Sequence, residues 1–255
     1  MELIDTQTHL DFPEFDADRA AVLAAARQAG VVAMVVSGVS AATWSRLLAL
    51  TDAEPGLFPA LGLHPMFLAE HNAADLTALA EAVERHRPVA VGEIGLDFQL
   101  RELDRPRQLE LFEAQLAVAR DARLPVILHV RKAHDEVLAR LRRFDLVGGT
   151  VHAFSGSRQQ AEHYLALGFK LGFGGAMTYS RARKLRTLAA ELPLEALVLE
   201  TDSPDLPPAA HHGERNSPAY LPEIAAVLAE LRGEDPLNLA RRTTDNARTV
   251  FGLPA

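Results

Sequence analysis

Asp5, Gln7 and His9 occupy alternate positions in the stretch IDTQTHLDF, residues 4–12, directly behind an apolar start. Side chains of an extended strand alternate faces, so these three point the same way and look like one arm of a metal cage whose middle member is a glutamine. Further along, His64 closes LGLHP, Glu93 sits in VAVGEIGLD, His129 ends PVILH, His152 follows GTV, and Asp202 follows LVLET. A lone histidine has an ordinary reading as a hydrogen-bonded core or surface residue. The set is harder to explain that way, because Glu93 and Asp202 each follow an apolar run, where a carboxylate without a cation or donors carries a large desolvation penalty. A divalent ion answers that need. Imidazole and carboxylate together suit zinc, manganese, iron or nickel, and a carboxylate can bridge two ions a few ångströms apart that clamp the attacking and leaving oxygens of a phosphoryl centre. Hydrolysis is the natural output.

The elements that must carry these residues recur regularly. Eight short runs read as strands: ELID, VVAMVVSG, FPALGLHP, VAVGEIGLD, PVILHVR, GTVHAF, FKLGFGG and ALVLETD. Between them, helical periodicity covers 18–28, 41–53, 76–85, 106–120, 134–143, 159–167 and 182–192, with two more helices over 219–231 and 236–250. Alternation of this kind argues for parallel strands with right-handed crossovers. Polar residues at the carboxyl end of so many different runs favour a closed barrel over an open sheet, since only closure gathers them onto one mouth. The expectation is a single (β/α)8 TIM-barrel domain over residues 1–255.

Composition narrows the field. With 48% hydrophobic residues the chain can bury a large core, and the absence of cysteine leaves histidine as the soft ligand. No basic-then-apolar leader and no run of membrane-spanning length is visible, so a soluble, cytoplasmic protein is expected, with no membrane or protein partner indicated. Thirty-four acidic against 26 basic residues give a net charge of -8. The basic footprint of a duplex-gripping protein is missing, which predicts a preference for ends or single strands and a weak dependence of affinity on salt.

Other residues carry less. Arg131 lies two residues beyond His129 on the same strand face, and either Arg131 or His64 suits contact with a substrate anion. His211 and His212 read as exposed loop residues, and His71, His86 and His163 carry no signal. GFGG at 172–175 reads as closely packed strand-end glycine, because no phosphate-loop fingerprint follows it.

Taken in order, DTQTHLD, GLHP, VGEIGLD, ILHVR, VHAFSGS, LVLETDSP and DNARTVFGL resemble the motifs of the TatD-type metal-dependent hydrolases, TIM-barrel relatives of the amidohydrolases usually described as deoxyribonucleases. The similarity spans nearly the whole chain. It implies up to two divalent ions (Mg, Mn or Zn), the first held by Gln7, His9, Glu93 and Asp202, the second by His129 and His152 with Glu93 bridging. Asp202 and Glu93 would be catalytic, and DNA ends or single strands the substrate. This chain departs from the pattern at Gln7, where the family has histidine, and at Asp205, where an aromatic is frequent, so that Asp205 lines the mouth differently. An amidohydrolase-like enzyme for a small ester, lactone or amide would use the same ions and is the alternative expectation.

Overall fold

Short β-branched runs separated by amphipathic helical stretches bury both faces only when helices cover a parallel sheet. The computed structural model describes residues 1–254 and follows that rule. Strands β1 (Leu3–Thr8), β2 (Val31–Ser37), β3 (Leu57–Leu61), β4 (Ala90–Asp97), β5 (Val126–Arg131), β6 (Gly149–Val151), β7 (Phe169–Phe173) and β8 (Leu197–Leu199) lie side by side in sequence order, each parallel to the next. Helices α1 (Arg19–Gln28), α2 (Trp44–Ala53), α3 (Ala73–His86), α4 (Arg105–Ala122), α5 (His134–Leu141), α6 (Arg158–Ala166) and α7 (Arg183–Glu191) cross between them, and α8 (Leu221–Arg232) and α9 (Pro236–Phe251) follow β8. This is the expected (β/α)8 barrel. Helix ends shift by up to about three residues from those read in sequence, because caps decide them. Asn72 and Asp75 form a reciprocal box that opens α3, Ser157 and Gln160 do the same for α6, and Asp104 and Asp235 cap α4 and α9.

The seam between β1 and β8 closes at and just beyond the strand ends. Thr6 Oγ1 donates to the Leu199 carbonyl at 3.0 Å, the Asp202 N–H donates to the Gln7 carbonyl at 2.9 Å, and the His9 N–H donates to the Ser203 carbonyl at 2.8 Å. Asp5 reinforces the join by accepting from the Thr201 N–H at 2.9 Å and from the Thr201 hydroxyl. Burial pushes the Asp5 carboxyl up to about 7, against the hydrogen bonds from Thr201 and Gln7 that favour its charge. The first and last strands are thus stitched together where Gln7, His9 and Asp202 stand.

Two apolar layers hold the barrel. The larger packs strands against helices, while a smaller cluster joins Ala33, Val35, Ala60, Ala90, Ile127 and Val198 to Ala247 and Phe251 of α9. Val35 alternates in phase with Ser37, Ile127 with His129, and Val198 with Glu200, so this smaller layer lies within the barrel beneath the polar residues. No helix among the described residues is long and apolar enough to cross a membrane.

Because Phe251 packs against the layer beneath the site, Phe251→Ala should cost about 3–5 kcal/mol of stability in urea denaturation and leave metal affinity at the mouth unchanged. A parallel loss of metal affinity in calorimetry would show that the plug and the mouth are mechanically coupled.

Candidate metal centre

At the carboxyl end of the strands, Glu93 from β4 and Asp202 from the turn after β8 sit among four imidazoles. Ligand atoms of His9, Glu93 and Asp202 lie within 4.8 Å of one another, as do those of His64, Glu93 and His129. Glu93 is 2% exposed. Among the described residues no lysine or arginine pairs with either carboxylate; the neighbouring nitrogens are His9 Nε2 at 3.5 Å from each, His64 Nε2 at 3.3 Å and His129 Nδ1 at 3.0 Å from Glu93, and His152 Nε2 at 3.3 Å from Asp202. Asp202 adopts a left-handed φ of 61°, which aspartate tolerates better than most residues.

Hydrogen bonds on the far side of each ring decide which nitrogen offers a lone pair. His9 Nδ1 faces the Ser37 carbonyl at 2.9 Å and His129 Nε2 faces Asp97 Oδ2 at 3.2 Å, whereas His152 Nδ1 lies 3.0 Å from Glu200 Oε1 without forming a hydrogen bond. The Ser37 and Asp97 oxygens only accept, so in the neutral rings they take the N–H and leave His9 Nε2 and His129 Nδ1 as lone-pair donors aimed at the carboxylates, while His152 Nε2 faces Asp202 at 3.3 Å. His64 is the reverse. Its Nδ1 accepts from the Met66 N–H at 3.1 Å, which assigns the proton to Nε2, facing Glu93. Gln7 follows His64: its Nε2 donates to Glu93 Oε2 at 2.6 Å and approaches His9 Nε2 at 3.2 Å, while its carbonyl oxygen accepts from the Ser37 hydroxyl. Gln7 therefore turns N–H groups, not its oxygen, towards the site.

Electrostatics agree with this division. Burial would lower His9, but hydrogen bonds and charge from Asp202 and Glu93 outweigh it and push the ring up to about 10. His152 is likewise raised well above its usual value against burial, by the charges of Asp202, Glu200 and Glu93. Asp202 is held down to about 2 against burial by His152 and His9, and Glu93 well below the usual carboxylate range by His64, His152 and His129. His64 moves the other way, lowered chiefly by burial. Protons on the imidazoles balance the carboxylates where no cation does, and a divalent cation binds by displacing them. The imidazoles of His9, His129 and His152 with two ionised carboxylates fit a borderline divalent cation.

The structure brings His9, His64, Glu93, His129, His152 and Asp202 together in one cavity of about 450 Å³, with Gln7 fully buried behind it and hydrogen-bonded to Glu93. His152 stands on the Asp202 side, away from the His64–Glu93–His129 group. Arg131 and Asp205 line the rim of the same cavity, both exposed, and Phe12, Met66 and Phe67 form an apolar wall. Asp205 is raised by partial burial and by the charge of Asp202.

Several partners escape a reading of sequence. Asp97 accepts from the Gln99 N–H at 2.9 Å and anchors His129; Glu200 accepts from the Ala153 N–H at 2.6 Å and places its charge beside His152; Ser37 orients both His9 and Gln7. Asp97 and Glu200 each lie an even number of residues from a ligand on the same run, and that spacing was the available signal. His71, silent in sequence, is buried and reaches the His64 carbonyl at 2.9 Å, so it braces the turn that carries His64. His211 is not a free loop residue: it stacks on Tyr220 at 3.6 Å and lies 2.9 and 3.0 Å from Glu214 and Glu223. His212 is exposed. Gly172 is a packing glycine as expected, since any side chain there would collide with the Glu200 carboxylate.

Comparison with known proteins agrees with this fold. The TatD related DNase family matches residues 4–252. The chain is 45% identical over 254 residues to the uncharacterized metal-dependent hydrolase YjjV of Escherichia coli, covering 98% of both chains. It is 38% identical over 255 residues to the 3′-5′ ssDNA/RNA exonuclease TatD of a Rahnella strain, covering 97% of each. The crystal structure of Escherichia coli YjjV superposes with a TM-score of 0.95 at 44% identity, over 99% of this chain and 98% of that one.

Gln7 offers N–H groups where an imidazole would offer a lone pair, so a cation held beside it by His9, Glu93 and Asp202 would lack a ligand from this residue. Gln7→His should raise the number of tightly held divalent ions measured by elemental analysis and titration calorimetry. Two equally tight ions before and after the substitution would show that Gln7 does not weaken the site.

Proposed function

Starting from the fact that this chain belongs to the TatD-related DNase family, we propose that it is a metal-dependent phosphodiesterase that trims single-stranded DNA or frayed DNA ends. The observation that carries this reading is the pairing, in one cavity, of a buried carboxylate–imidazole ring with the aromatic wall of Phe12 and Phe67 and the cation of Arg131 on the rim. A nucleotide within a strand has the same two halves, an anionic phosphodiester and a flat base. The relatives named as 3′-5′ ssDNA/RNA exonucleases support the same substrate class.

His9, His129, His152, Glu93 and Asp202 would hold divalent cations here, with Gln7 at the first position acting through hydrogen bonds to Glu93. Such a cation, when bound, supplies Lewis-acid polarisation of the phosphoryl group and lowers the pKa of an attacking water. The chain's own groups do the rest. Asp202, ionised and 15% exposed at its side chain, accepts the proton of the attacking water. The water oxygen forms a bond to phosphorus as the ester bond breaks, and the proton held by Asp202 passes to the departing alkoxide. Glu93 fixes the imidazoles in register. The Nε2–H of His64 can donate to a phosphoryl oxygen, Arg131 neutralises the phosphate from the rim, and Phe12 and Phe67 flank the base. Asp205 disfavours a second phosphate at its own edge of the mouth.

The test is degradation of labelled single-stranded, blunt duplex and closed circular DNA with magnesium or manganese, beside bis-para-nitrophenyl phosphate and para-nitrophenyl acetate. Single strands should be degraded fastest, and Asp202→Asn should lower that rate by about 10²–10⁴ without loss of fold. Glu93→Ala should abolish turnover together with metal binding. Turnover of the acetate ester alone, or equal attack on closed circles, would refute the proposal.

A further inference from the structure

A net charge of -8 conceals local reversals, and one of them lies beside the mouth. Four of the six residues from Arg181 to Arg186 are basic, and they lie where β7 passes into α7 on the side of the barrel that carries the mouth. Arg186 braces this connection by donating to the Met177 carbonyl at 3.2 Å. Arg181, Arg183 and Lys184 are exposed and form no ion pair among the described residues, whereas Arg158, Arg215 and Arg242 pair with Glu191, Asp18 and Glu195. All three free cations line a cleft of about 240 Å³ that contains no carboxylate and opens to the mouth at Ser155.

A second groove, of about 570 Å³, adjoins the cleft at Arg181 and the mouth at Ala176, Asp205 and Leu206. Its aromatic member is Tyr179, whose ring lies 5.2 Å below the Arg181 guanidinium and edge-on to His212 at 5.9 Å. The Tyr179 hydroxyl donates to the Pro207 carbonyl at 3.2 Å, which fixes the ring in place. Asp205 and Glu214 also line this groove, so it repels phosphate, while the neighbouring cleft attracts it.

From this arrangement we propose that residues 179–184 form a docking tract for the part of a single strand that lies outside the mouth: Arg181, Arg183 and Lys184 engage successive phosphates, and Tyr179 takes a base. The inference rests on the nuclease reading of the mouth and adds to it a second contact zone. A single strand is the occupant that fits, because a basic track beside an aromatic platform matches a flexible backbone with unstacked bases, and both are continuous with the site of cleavage. It also reverses the expectation of weak salt dependence drawn from total charge.

The test compares the unmodified protein, the triple variant Arg181→Ala/Arg183→Ala/Lys184→Ala, and Tyr179→Leu on a thymidine dodecamer, a thymidine dinucleotide and bis-para-nitrophenyl phosphate with magnesium. Matching thermal melts control for folding. The triple variant should raise the dodecamer KM by roughly tenfold or more at low salt and reduce the log–log salt slope by about 2, with kcat, dinucleotide cleavage and small-diester turnover unchanged. Tyr179→Leu should reduce the preference for the dodecamer without altering the salt slope. Dodecamer cleavage with an unchanged KM and salt slope in the triple variant would overturn the docking tract while leaving the nuclease reading intact. Small-diester turnover with no dodecamer cleavage by the unmodified protein would overturn the nuclease reading, and the tract with it.

Discussion

Two carboxylates, Glu93 and Asp202, are kept ionised in a region that would otherwise neutralise them, and the rest of the mouth answers that constraint. Neither has a lysine or arginine partner among the described residues, so their charge is met by imidazoles and by the cation those imidazoles can admit. The imidazoles must then be oriented, and the groups around them are themselves buried: Ser37 and Asp97 hydrogen-bond His9 and His129, and the Glu200 carboxylate lies against His152. The barrel contributes rigidity. The ring is drawn from β1, β3, β4, β5, β6 and the turn after β8, and the β1–β8 seam is stitched at the level of the site.

Within the ring, tautomer separates ligands from donors. His64 and His129 both approach Glu93 Oε1, at 3.3 and 3.0 Å, yet their outer hydrogen bonds are opposite in sense. A backbone N–H on one side of His64 sends its proton inward; a carboxylate on the outer side of His129 sends its lone pair inward. Gln7 joins the donors through the Ser37 hydroxyl. The site is therefore asymmetric, with N–H groups clustered on Glu93 and lone pairs on both carboxylates.

Charge outside the ring follows a different logic. Several surface arginines, among them Arg158, Arg215 and Arg242, are spent on local ion pairs, which screen one another and extend little field. At the connection after β7, three unpaired cations share one cleft beside the mouth. Total charge governs behaviour at distances beyond the Debye length, whereas a strand lying within a few ångströms of the surface meets only the charges beside it. Acidic composition and a basic path to the mouth are thus compatible.

Much of the architecture was legible in the sequence because it depends on local periodicity. Eight apolar runs alternating with amphipathic stretches specify a parallel sheet, and polar residues at the carboxyl ends of those runs mark a shared mouth. The motif residues from His9 to Asp202 were legible for the same reason, since a charged side chain at the end of an apolar run has few bland explanations. Helix ends blurred because caps such as Asn72 and Asp104 act through single hydrogen bonds that hydrophobic pattern does not record. Tertiary structure alone decided which ring nitrogen faces inward, that Gln7 turns its amide N–H groups to Glu93, that His71 braces the turn carrying His64, and that residues far apart in sequence line one cavity. These are matters of distance and direction between elements. They depend on barrel closure, which brings Asp5 to Thr201 and Gln7 to Asp202 across nearly two hundred residues, and no local pattern of residue types encodes the angle at which two side chains meet.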